Sequence, residues 1–510
     1  MEGIRQSLRA AIPAVACAAL LLCAAACGEK EPPVFEDPLD DLAFEEQAKE
    51  AAHEFLAIAK ANATKSCPRP VLRGTPLPGK ATDDIIAVAE TMETADACSA
   101  ALDDECALEL LDSYFVGGRS QYDGFPRRML GTVAPLDDGV KRAPITDLLN
   151  VCAPELAHIE KAVAHEDACS PYLPGVRRVD DHVKYLDLGK LVASSAIERT
   201  RAGETREAVE SLLDLIRFGQ DFHRGGAPAV EAVLPSTASA TAISTIEWIL
   251  NRPEPLGAPL LSQIDRELAM LVESEPHPSE FLYGENVAEA LLLALPSFFG
   301  SNWSPPGKVV AEPSETEDSC ATDNLTARKL LVSLHKVRLA YAKSCKRDAP
   351  AVACHFRIEQ LEERMHRSSW EGRNSPARWL DWITDPKAGP PNGENPFTLA
   401  TYHVGAYNGY VQRHGVTRFY LGALRLLTRY RARVEETSVC PGIEAFDLPS
   451  FAEARTDPYT SFPLRVSKVG KGRFLIKSEG YIEAGTTPAI AIHVKCPFLI
   501  ETKPSDDGGV

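Results

Sequence analysis

The sequence predicts a mainly α-helical protein of stacked helical hairpins, followed by a small C-terminal α/β module that contains a β-hairpin. Apolar residues recur at spacings of three and four residues through most of the chain, which is typical of amphipathic helices. The period changes to alternation only beyond Cys440. The 510 residues are 45% hydrophobic, so the chain is long and apolar enough to bury substantial cores, with length for about three domains.

The N-terminus, residues 1–27, predicts a lipoprotein signal peptide. Two arginines precede an apolar stretch, and the stretch ends in the sequence AAACG at 24–28. This ending resembles a bacterial lipobox, although Ala24 stands where a lipobox usually has leucine. Cys27 would then be lipidated and become the first mature residue; the alternative is ordinary cleavage after Ala26, which releases a soluble protein. Gly28, which is not acidic, favours anchoring at the outer membrane of a bacterial cell envelope.

Residues 28–41 predict an extended tether, because they are acidic and contain several prolines; residues 29–54 carry a net charge of −8. Helical periodicity then defines a helical domain over 42–300. Within it, helices at 182–199 and 205–222 are joined by a short loop in which Gly203 is placed as a C-terminal stop. This pair resembles one unit of a tetratricopeptide-like array. Further helices are expected at 228–251 and 258–273.

The second half of the chain begins with a predicted linker at 301–324, which is rich in proline and acidic residues. A second helical block follows at 325–435, and its last helix, at 411–434, carries a continuous apolar stripe. Residues 436–510 form the C-terminal module. There, strands at 464–466 and 473–476 flank a glycine-rich turn, and a third strand is expected at 490–494. We expect the sheet to pack on the apolar stripe, since a lone hairpin is marginal in water.

The cysteines indicate disulfide bonds, because the mature chain holds an even number of them and is exported. Two pairings have local support: Cys345 with Cys354, which flank a turn, and Cys440 with Cys496, which bracket the C-terminal strands. If Cys98 and Cys106 share one helix, they lie about 12 Å apart, too far to bond. The sequence therefore predicts that no mature cysteine remains free beyond the modified Cys27. The ten are Cys67, Cys98, Cys106, Cys152, Cys169, Cys320, Cys345, Cys354, Cys440 and Cys496.

The net charge of the chain indicates which classes of partner it can bind. Formal net charge is −18 and the isoelectric point is near 5.2. Nucleic-acid binding requires a basic surface, so no nucleic-acid partner is expected. The expected partners are the membrane, through the lipid anchor, and an unknown envelope protein.

Short motifs give no catalytic, metal or cofactor site. Gly74–Lys80 matches the spacing of a phosphate-binding loop, but Ala81 lacks the hydroxyl that holds magnesium, and two prolines remove N–H donors. The segment is interpreted as a proline-rich connector. His182 follows two aspartates and is interpreted as the start of a helix. His158 and His165 could share a helix face, but without a carboxylate on that face they favour packing or exposure.

Two groups of side chains could form surfaces. The densest aromatic region favours core packing, with a partner groove as the alternative, since tryptophan and tyrosine are enriched at binding hot spots. Its members are Trp370, Trp379, Trp382, Tyr402 and Tyr407. Arginines also recur at helical spacing on the 411–434 helix. They favour a solvated face paired with acids, with an anion or lipid-headgroup site as the alternative. They are Arg418, Arg425, Arg429 and Arg433.

Two stretches carry a resemblance to known proteins. One is the segment DACSP at 167–171 followed by the helix pair with Gly203. The other joins the arginine-rich helix to DPYT at 457–460, PLR at 463–465 and the hairpin ending KSEG at 477–480. Together they resemble a group of exported, mainly helical bacterial proteins and lipoproteins of unknown function. Their C-terminal hairpin segment is distantly similar to the tips of type II secretion pseudopilins. The pilin N-terminal helix is absent, and Tyr481-Ile482-Glu483 replaces the acidic loop that holds calcium there.

Two functions remain open at this point. The first is a membrane-anchored, non-enzymatic lipoprotein that serves as a protein-binding scaffold, as helical arrays commonly do. The alternative is a cell-envelope hydrolase whose acids and histidines meet only in the fold. An enzyme should bring Asp, Glu or His side chains with perturbed pKa values together in a pocket.

Overall fold

The computed structural model describes residues 66–93, 97–112, 114–115, 145–169, 182–222, 224, 229–277, 407–458, 462–478 and 491–497. Within these ranges the fold is mainly α-helical with an antiparallel sheet near the C-terminus, and the predicted fold class is confirmed. Several predicted features lie outside the described residues: Cys27, the tether, the linker, Cys345, Cys354, Trp370, Trp379, Trp382 and Tyr402. None of the helices in the described ranges combines the length and apolar character needed to cross a membrane.

The described elements follow one another along the chain as follows. They are β1 (Leu77–Lys80), α1 (Thr82–Glu93), α2 (Ala97–Asp103), α3 (Glu105–Asp112), α4 (Thr146–Val151), α5 (Ala153–Ala164), β2 (His165–Asp167), α6 (His182–Ala202), α7 (Thr205–Asp221), α8 (Ala229–Leu250), α9 (Ala258–Glu273), α10 (Tyr407–Thr437), α11 (Pro449–Ala452), β3 (Arg465–Gly470), β4 (Arg473–Lys477) and β5 (Ala491–Lys495). Two 3-10 turns, Ile443–Asp447 and Glu453–Arg455, flank α11. Buried apolar side chains from α1 through β5 belong to one connected core.

Helices α6, α7 and α8 form the centre of the helical body and pack against one another in every pairing. Gly203 has a φ of +89°, a conformation that costs other residues free energy, and it ends the α6 segment as predicted. The contact between α6 and α8 is close at Gly189. A Cβ atom placed there would lie 2.7 Å from the Cβ of Ala238, so glycine permits this approach of the two helices.

A short parallel strand pair was not predicted. β1 pairs with β2, with Leu77 opposite His165 and Lys80 opposite Asp167. The interpretation of 74–80 as only a connector is therefore corrected: its second half is a strand. Gly79 supplies a φ of +96° within it. The two strands have only three or four residues each and lie far apart in sequence. The local pattern of apolar residues therefore does not predict that they pair.

Two disulfides fasten the first part of the helical body. Cys67 bonds to Cys169 with a Cα–Cα distance of 4.9 Å, and Cys98 bonds to Cys152 with a Cα–Cα distance of 4.7 Å. The first closes a loop of about 100 residues, a size for which loop-closure entropy gives a stabilisation of roughly 4–5 kcal/mol at most.

Cys106 departs from the expectation that every mature cysteine is paired. It lies at the second residue of α3, is exposed, and takes part in no disulfide among the described residues. The parity argument was wrong at this position, because an even number of cysteines does not require that each one finds a partner.

We expect Cys106 to react with a maleimide in the native oxidised protein, since its side chain is exposed and forms no disulfide among the described residues. Peptide mapping of the labelled protein checks this. Cys106→Ser should remove the label at α3 and change the free energy of unfolding by no more than about 0.5 kcal/mol. A native protein in which position 106 resists labelling would contradict the assignment.

Helix α10 connects the helical body to the C-terminal sheet. It packs against α8 and α9 on the body and against β5 and the 3-10 turns of the module. The three-stranded sheet has the order β3-β4-β5, with both pairs antiparallel. Its buried face consists of alternate residues on β4 and β5, namely Phe474, Ile476, Ile492 and Val494. The sequence had placed α10 in the second helical block, yet in the fold it contacts helices of the first.

Candidate functional site

The C-terminal module is built around an aromatic cluster under the sheet. The ring of Tyr430 on α10 stacks on Phe446 at 5.3 Å between centroids, and Phe474 of β4 meets these two rings edge-on at 5.7 and 5.6 Å. Burial, together with the nearby carboxylate of Glu444, raises the pKa of Tyr430 to about 12. The sheet is therefore positioned directly by α10, the contact expected from the apolar stripe.

A disulfide and a set of side chains fix the far edge of the sheet. Cys440, just after α10, bonds to Cys496, just after β5, with a Cα–Cα distance of 5.8 Å; this is one of the two pairings nominated by the sequence. The carboxylate of Glu247 accepts a hydrogen bond from the N–H of His493 at 3.1 Å. The amide of Asn251 donates to the carbonyl of His493 at 3.0 Å and accepts from the N–H of Lys495 at 2.8 Å. Side chains at the end of α8 thus take the place of a further strand beside β5.

A buried ion pair on α10 ties this helix to the helical body. Arg431 is almost fully buried and donates to Glu435 at 2.7 Å, to the carbonyl of Leu250 and to the carbonyl of Arg252. Glu435 in turn accepts from the N–H groups of Leu256 and Gly257 at 2.9 and 2.8 Å. Burial alone would raise the pKa of Glu435, but these N–H groups and Arg431 together lower it. The pair therefore satisfies backbone groups at the end of α8 and at the start of α9.

The opposite face of the sheet is basic. The inter-strand register places Arg465 opposite Lys477, and Arg473 opposite Lys495. Between these two pairs, Ser467, Leu475 and His493 form the middle row. Arg465, Arg473 and Lys495 are exposed and Lys477 is half-buried. The face, defined here by its four cations and the middle row, is called the basic sheet face.

The facing Cβ atoms of each like-charged pair are only about 5 Å apart, so each pair brings two positive charges together on this face. The surrounding segment shows the same bias. Residues 465–477 hold five basic residues and no acidic one, in a chain whose net charge is −18. A face whose charge is opposite in sign to that of the whole chain attracts anionic groups.

Apolar exposure is concentrated in the same module. Of the six large hydrophobic side chains that are exposed in the described part of the chain, five lie between 439 and 469. Phe462 is 72% exposed and Val469, at the end of β3, is 53% exposed. Aromatic and apolar side chains beside charged ones are the composition of protein–protein contact surfaces.

The arginines of α10 pair with acids, as the first of their two predicted roles requires, but Arg425 is buried and so is not part of a solvated face. Arg425 and Arg429 both donate to Asp265 of α9, and both pair with Glu453. The side chain of Arg425 is the main cause of the lowered pKa of Glu453. Arg433 pairs with Glu436 at 2.7 Å. Arg425 and Arg429 therefore hold α10 against α9, whereas the Arg433 pair lies within α10 at the surface.

The predicted aromatic groove lies outside the described residues, and it stays a prediction. Tyr407 is the first residue of α10, and its side chain lies outside the described residues along with the other four aromatics of that group. The sequence analysis did not single out the basic sheet face. The sequence does show a run of basic residues without an acid from 465 to 477. Only the strand register shows which of these residues share one face of the sheet.

A second cluster of titratable groups joins α1 to α5 and β2. The carboxylate of Asp84 lies 2.9 Å from Nδ1 of His158 and 3.2 Å from Nε2 of His165, and it accepts a bond from Lys161 at 3.0 Å. The sequence analysis had found no carboxylate beside the two histidines; the correction is that α1 supplies one, and that His158 lies on α5 whereas His165 begins β2. Burial alone would raise the pKa of Asp84, but the hydrogen bonds from these three side chains lower it.

We expect Asp84→Asn to destabilise the protein by about 1.5–3 kcal/mol at pH 7, because hydrogen bonds to a charged group are lost. The pKa of Asp84 is lowered in the folded state, so its stabilisation is present above the unfolded value near 3.9 and is lost as pH falls toward the folded value. Chemical denaturation from pH 7 to pH 3 checks this.

The neighbouring exposed Asp83 provides the matched control. Asp83→Asn should cost much less, and it should leave the acid dependence of the free energy of unfolding close to that of the wild type. An equal loss in the two variants would show that the Asp84 cluster is not a stabilising one.

One group of potential metal ligands lies within the described residues: Cys98, Cys152 and Glu155. Because the two sulfurs form a disulfide, neither is available as a thiolate ligand. The group is therefore the surroundings of a disulfide and not a metal centre.

Comparison with known proteins adds no assignment: no family model, no curated protein and no solved structure matches the chain.

Proposed function

We propose that the protein is a lipid-anchored lipoprotein of the bacterial cell envelope, in the outer membrane, and that it works as a scaffold that binds an acidic surface of a partner protein. The basic sheet face is the contact surface. Helices α8 and α10 hold this sheet in a fixed orientation.

Support for export comes from two independent features. Residues 1–27 end in a lipobox-like sequence, and three disulfides join cysteines in the described ranges. Disulfides persist in oxidising compartments such as the bacterial periplasm. The resemblance of the C-terminal segment to exported lipoproteins of unknown function agrees with this placement.

The observation that carries the binding proposal is the pairing of Arg465 with Lys477 and of Arg473 with Lys495 across the ladder. Carboxylates of a partner would be attracted to the four cations that this face brings together. Leu475 lies between the two basic rows, where an apolar anchor of the partner could dock.

A photo-crosslinking residue placed at Ser467 in living cells tests the proposal. It should give one discrete protein adduct, whereas the same residue at the exposed Glu207 on α7 should not. Replacing Arg473 and Lys495 by Glu should remove the adduct, while Arg433→Glu on α10 should not. The proposal would be contradicted by the absence of an adduct at position 467, or by an adduct that persists when Arg473 and Lys495 are both replaced by Glu. An adduct with lipid instead of protein would show that the basic sheet face binds a membrane and not a partner protein.

The anchor is tested separately. Cys27→Ala should move the protein from the membrane fraction to the soluble fraction, because lipid attachment at that cysteine is the proposed means of retention. A variant that stays with membranes after a high-salt wash would contradict the anchor without bearing on the basic sheet face.

A second candidate function, a cell-envelope hydrolase, is favoured by the Asp84 cluster. The carboxylate of Asp84 could orient His158, whose side chain is 39% exposed, as a general base. The test is hydrolysis of isolated cell-wall material by the purified protein. Activity that is lost in His158→Ala but kept in Lys161→Ala, a change at an exposed neighbour, would support the hydrolase over the scaffold.

A further inference from the structure

The two edges of the C-terminal sheet differ in how their backbone groups are satisfied. At the β5 edge, side chains at the end of α8 accept from the outward N–H groups of His493 and Lys495, at 3.1 and 2.8 Å. β3 lies at the opposite edge of the sheet. Its side away from β4 is called the β3 edge, and among the described residues only its first part has a strand partner.

The chain itself pairs with the start of the β3 edge. Thr456 forms an antiparallel bridge with Pro463. The N–H of Leu464 donates to the carbonyl of Arg455, so it points away from β4. The pairing segment then leaves the edge, because Glu453–Arg455 form a 3-10 turn. The β3 edge is thus able to pair with an extended segment, and the described part of the chain supplies one only as far as Leu464.

The next outward N–H groups on the β3 edge belong to Val466 and Lys468. Alternate residues of a strand direct their N–H groups to the same edge, so these two follow Leu464. Counting across the ladder from His493 and Lys495, which point outward on β5, gives the same result. Neither N–H has a hydrogen-bond partner within the described part of the chain. Two such groups, about 7 Å apart, form the pattern with which an added strand pairs.

The side chains along the β3 edge favour an acidic partner. Arg465 and Lys468 are exposed, and residues 465–477 contain no acid. A second copy that paired its own β3 here would bring two sets of these cations together, and lysine at a sheet edge disfavours such self-association. Apolar side chains mark the two ends of the edge, since Phe462 is 72% exposed and Val469 is 53% exposed. An extended segment in which acidic and apolar residues alternate fits this edge.

We propose that the β3 edge binds an extended acidic segment of the partner protein as a fourth strand, antiparallel to β3. Side chains of a strand alternate between the two faces, so every second residue of the segment would lie on the basic sheet face beside Arg465. Main-chain hydrogen bonds to Val466 and Lys468 would hold the segment, and its acidic side chains would give specificity. This mode of binding rests on the proposed function, since it specifies the form in which the partner meets the basic sheet face.

The probe is a peptide of about eight residues in which Glu and Val alternate, long enough to span the β3 edge. Its binding to the full mature protein is measured by fluorescence anisotropy. Hydrogen exchange, resolved to single residues, follows the N–H groups of Val466 and Lys468. The peptide should bind, and saturation with it should slow exchange at both positions by about tenfold or more.

Methylated peptides test the pairing without altering the protein. With Glu on the basic sheet face, the Val residues lie opposite Val466 and Lys468 and exchange hydrogen bonds with them. Methylation of the Val nitrogens should therefore weaken binding by at least about tenfold, because several hydrogen bonds are lost and the methyl groups meet the strand. Methylation of the Glu nitrogens, which point away from β3, is the matched control and should change the affinity little.

Protein variants test the charge. Lys468→Glu should weaken binding of the unmodified peptide by about tenfold, whereas Arg433→Glu on α10 should not. The proposal is overturned if the peptide does not bind, or if methylation of Glu weakens binding as much as methylation of Val. Slow exchange at Val466 and Lys468 in the protein alone would also overturn it, since the chain itself or a second copy would then occupy the edge. In each case a protein adduct at Ser467 that is lost on charge reversal would leave the proposed function standing.

Discussion

Arg431→Ala is expected to lower the free energy of unfolding by about 3–5 kcal/mol, the cost of removing one member of a buried ion pair. The guanidinium of Arg431 is nearly inaccessible to water, and its loss leaves Glu435 and the carbonyls of Leu250 and Arg252 without this donor. Because Glu435 also holds the N–H groups at the start of α9, the damage should spread to the junction between α8 and α9. Equilibrium denaturation in urea measures the loss.

Arg433 offers a matched control, since it lies two residues further along α10 and pairs with Glu436 at the surface. Arg433→Ala should cost no more than about 1 kcal/mol. Similar losses in the two variants would mean that Arg431 does not hold α10 to the α8–α9 junction.

Phe474→Ala is expected to cost about 3–5 kcal/mol, the range for truncating a buried aromatic side chain. Phe474 is almost fully buried between Tyr430 and Phe446, so its removal opens a cavity between the sheet and α10. Thermal and urea unfolding should both register the loss.

Leu475→Ala is the control for Phe474→Ala, because the adjacent residue points to the basic sheet face and is only half-buried. It should cost well below half as much. If instead Leu475→Ala were the more damaging change, the assignment of the two faces of the sheet would be wrong.

Local features of this fold could be predicted from the sequence. The α6–α7 pair follows from helical spacing with a glycine stop at Gly203, and the β3–β4 hairpin follows from alternation around a glycine-rich turn. The Cys440–Cys496 disulfide also followed from the position of the strands between its cysteines. In each case the determining residues are close in sequence or bracket one element.

Features that depend on distant pairing could not be predicted. Asp84 meets His158 and His165 across separations of 74 and 81 residues, and a single sequence has no periodicity that encodes such a contact. The β1–β2 pair and the Glu247 and Asn251 bonds to β5 are non-local in the same way. The basic sheet face is intermediate: its composition was visible in the sequence, but its pairing of like charges required the strand register.

The fold and the proposed binding surface both require that the C-terminal sheet be held in place by α8 and α10. An amide NMR spectrum of the isolated fragment 436–510 tests this requirement most directly, since the fragment retains the strands and the Cys440–Cys496 disulfide but lacks Tyr430, Glu247 and Asn251. We predict a collapsed spectrum typical of an unfolded or aggregated chain, because the buried face of the sheet would be open to water. A well-dispersed spectrum from the fragment would show that the sheet folds independently and would contradict the account.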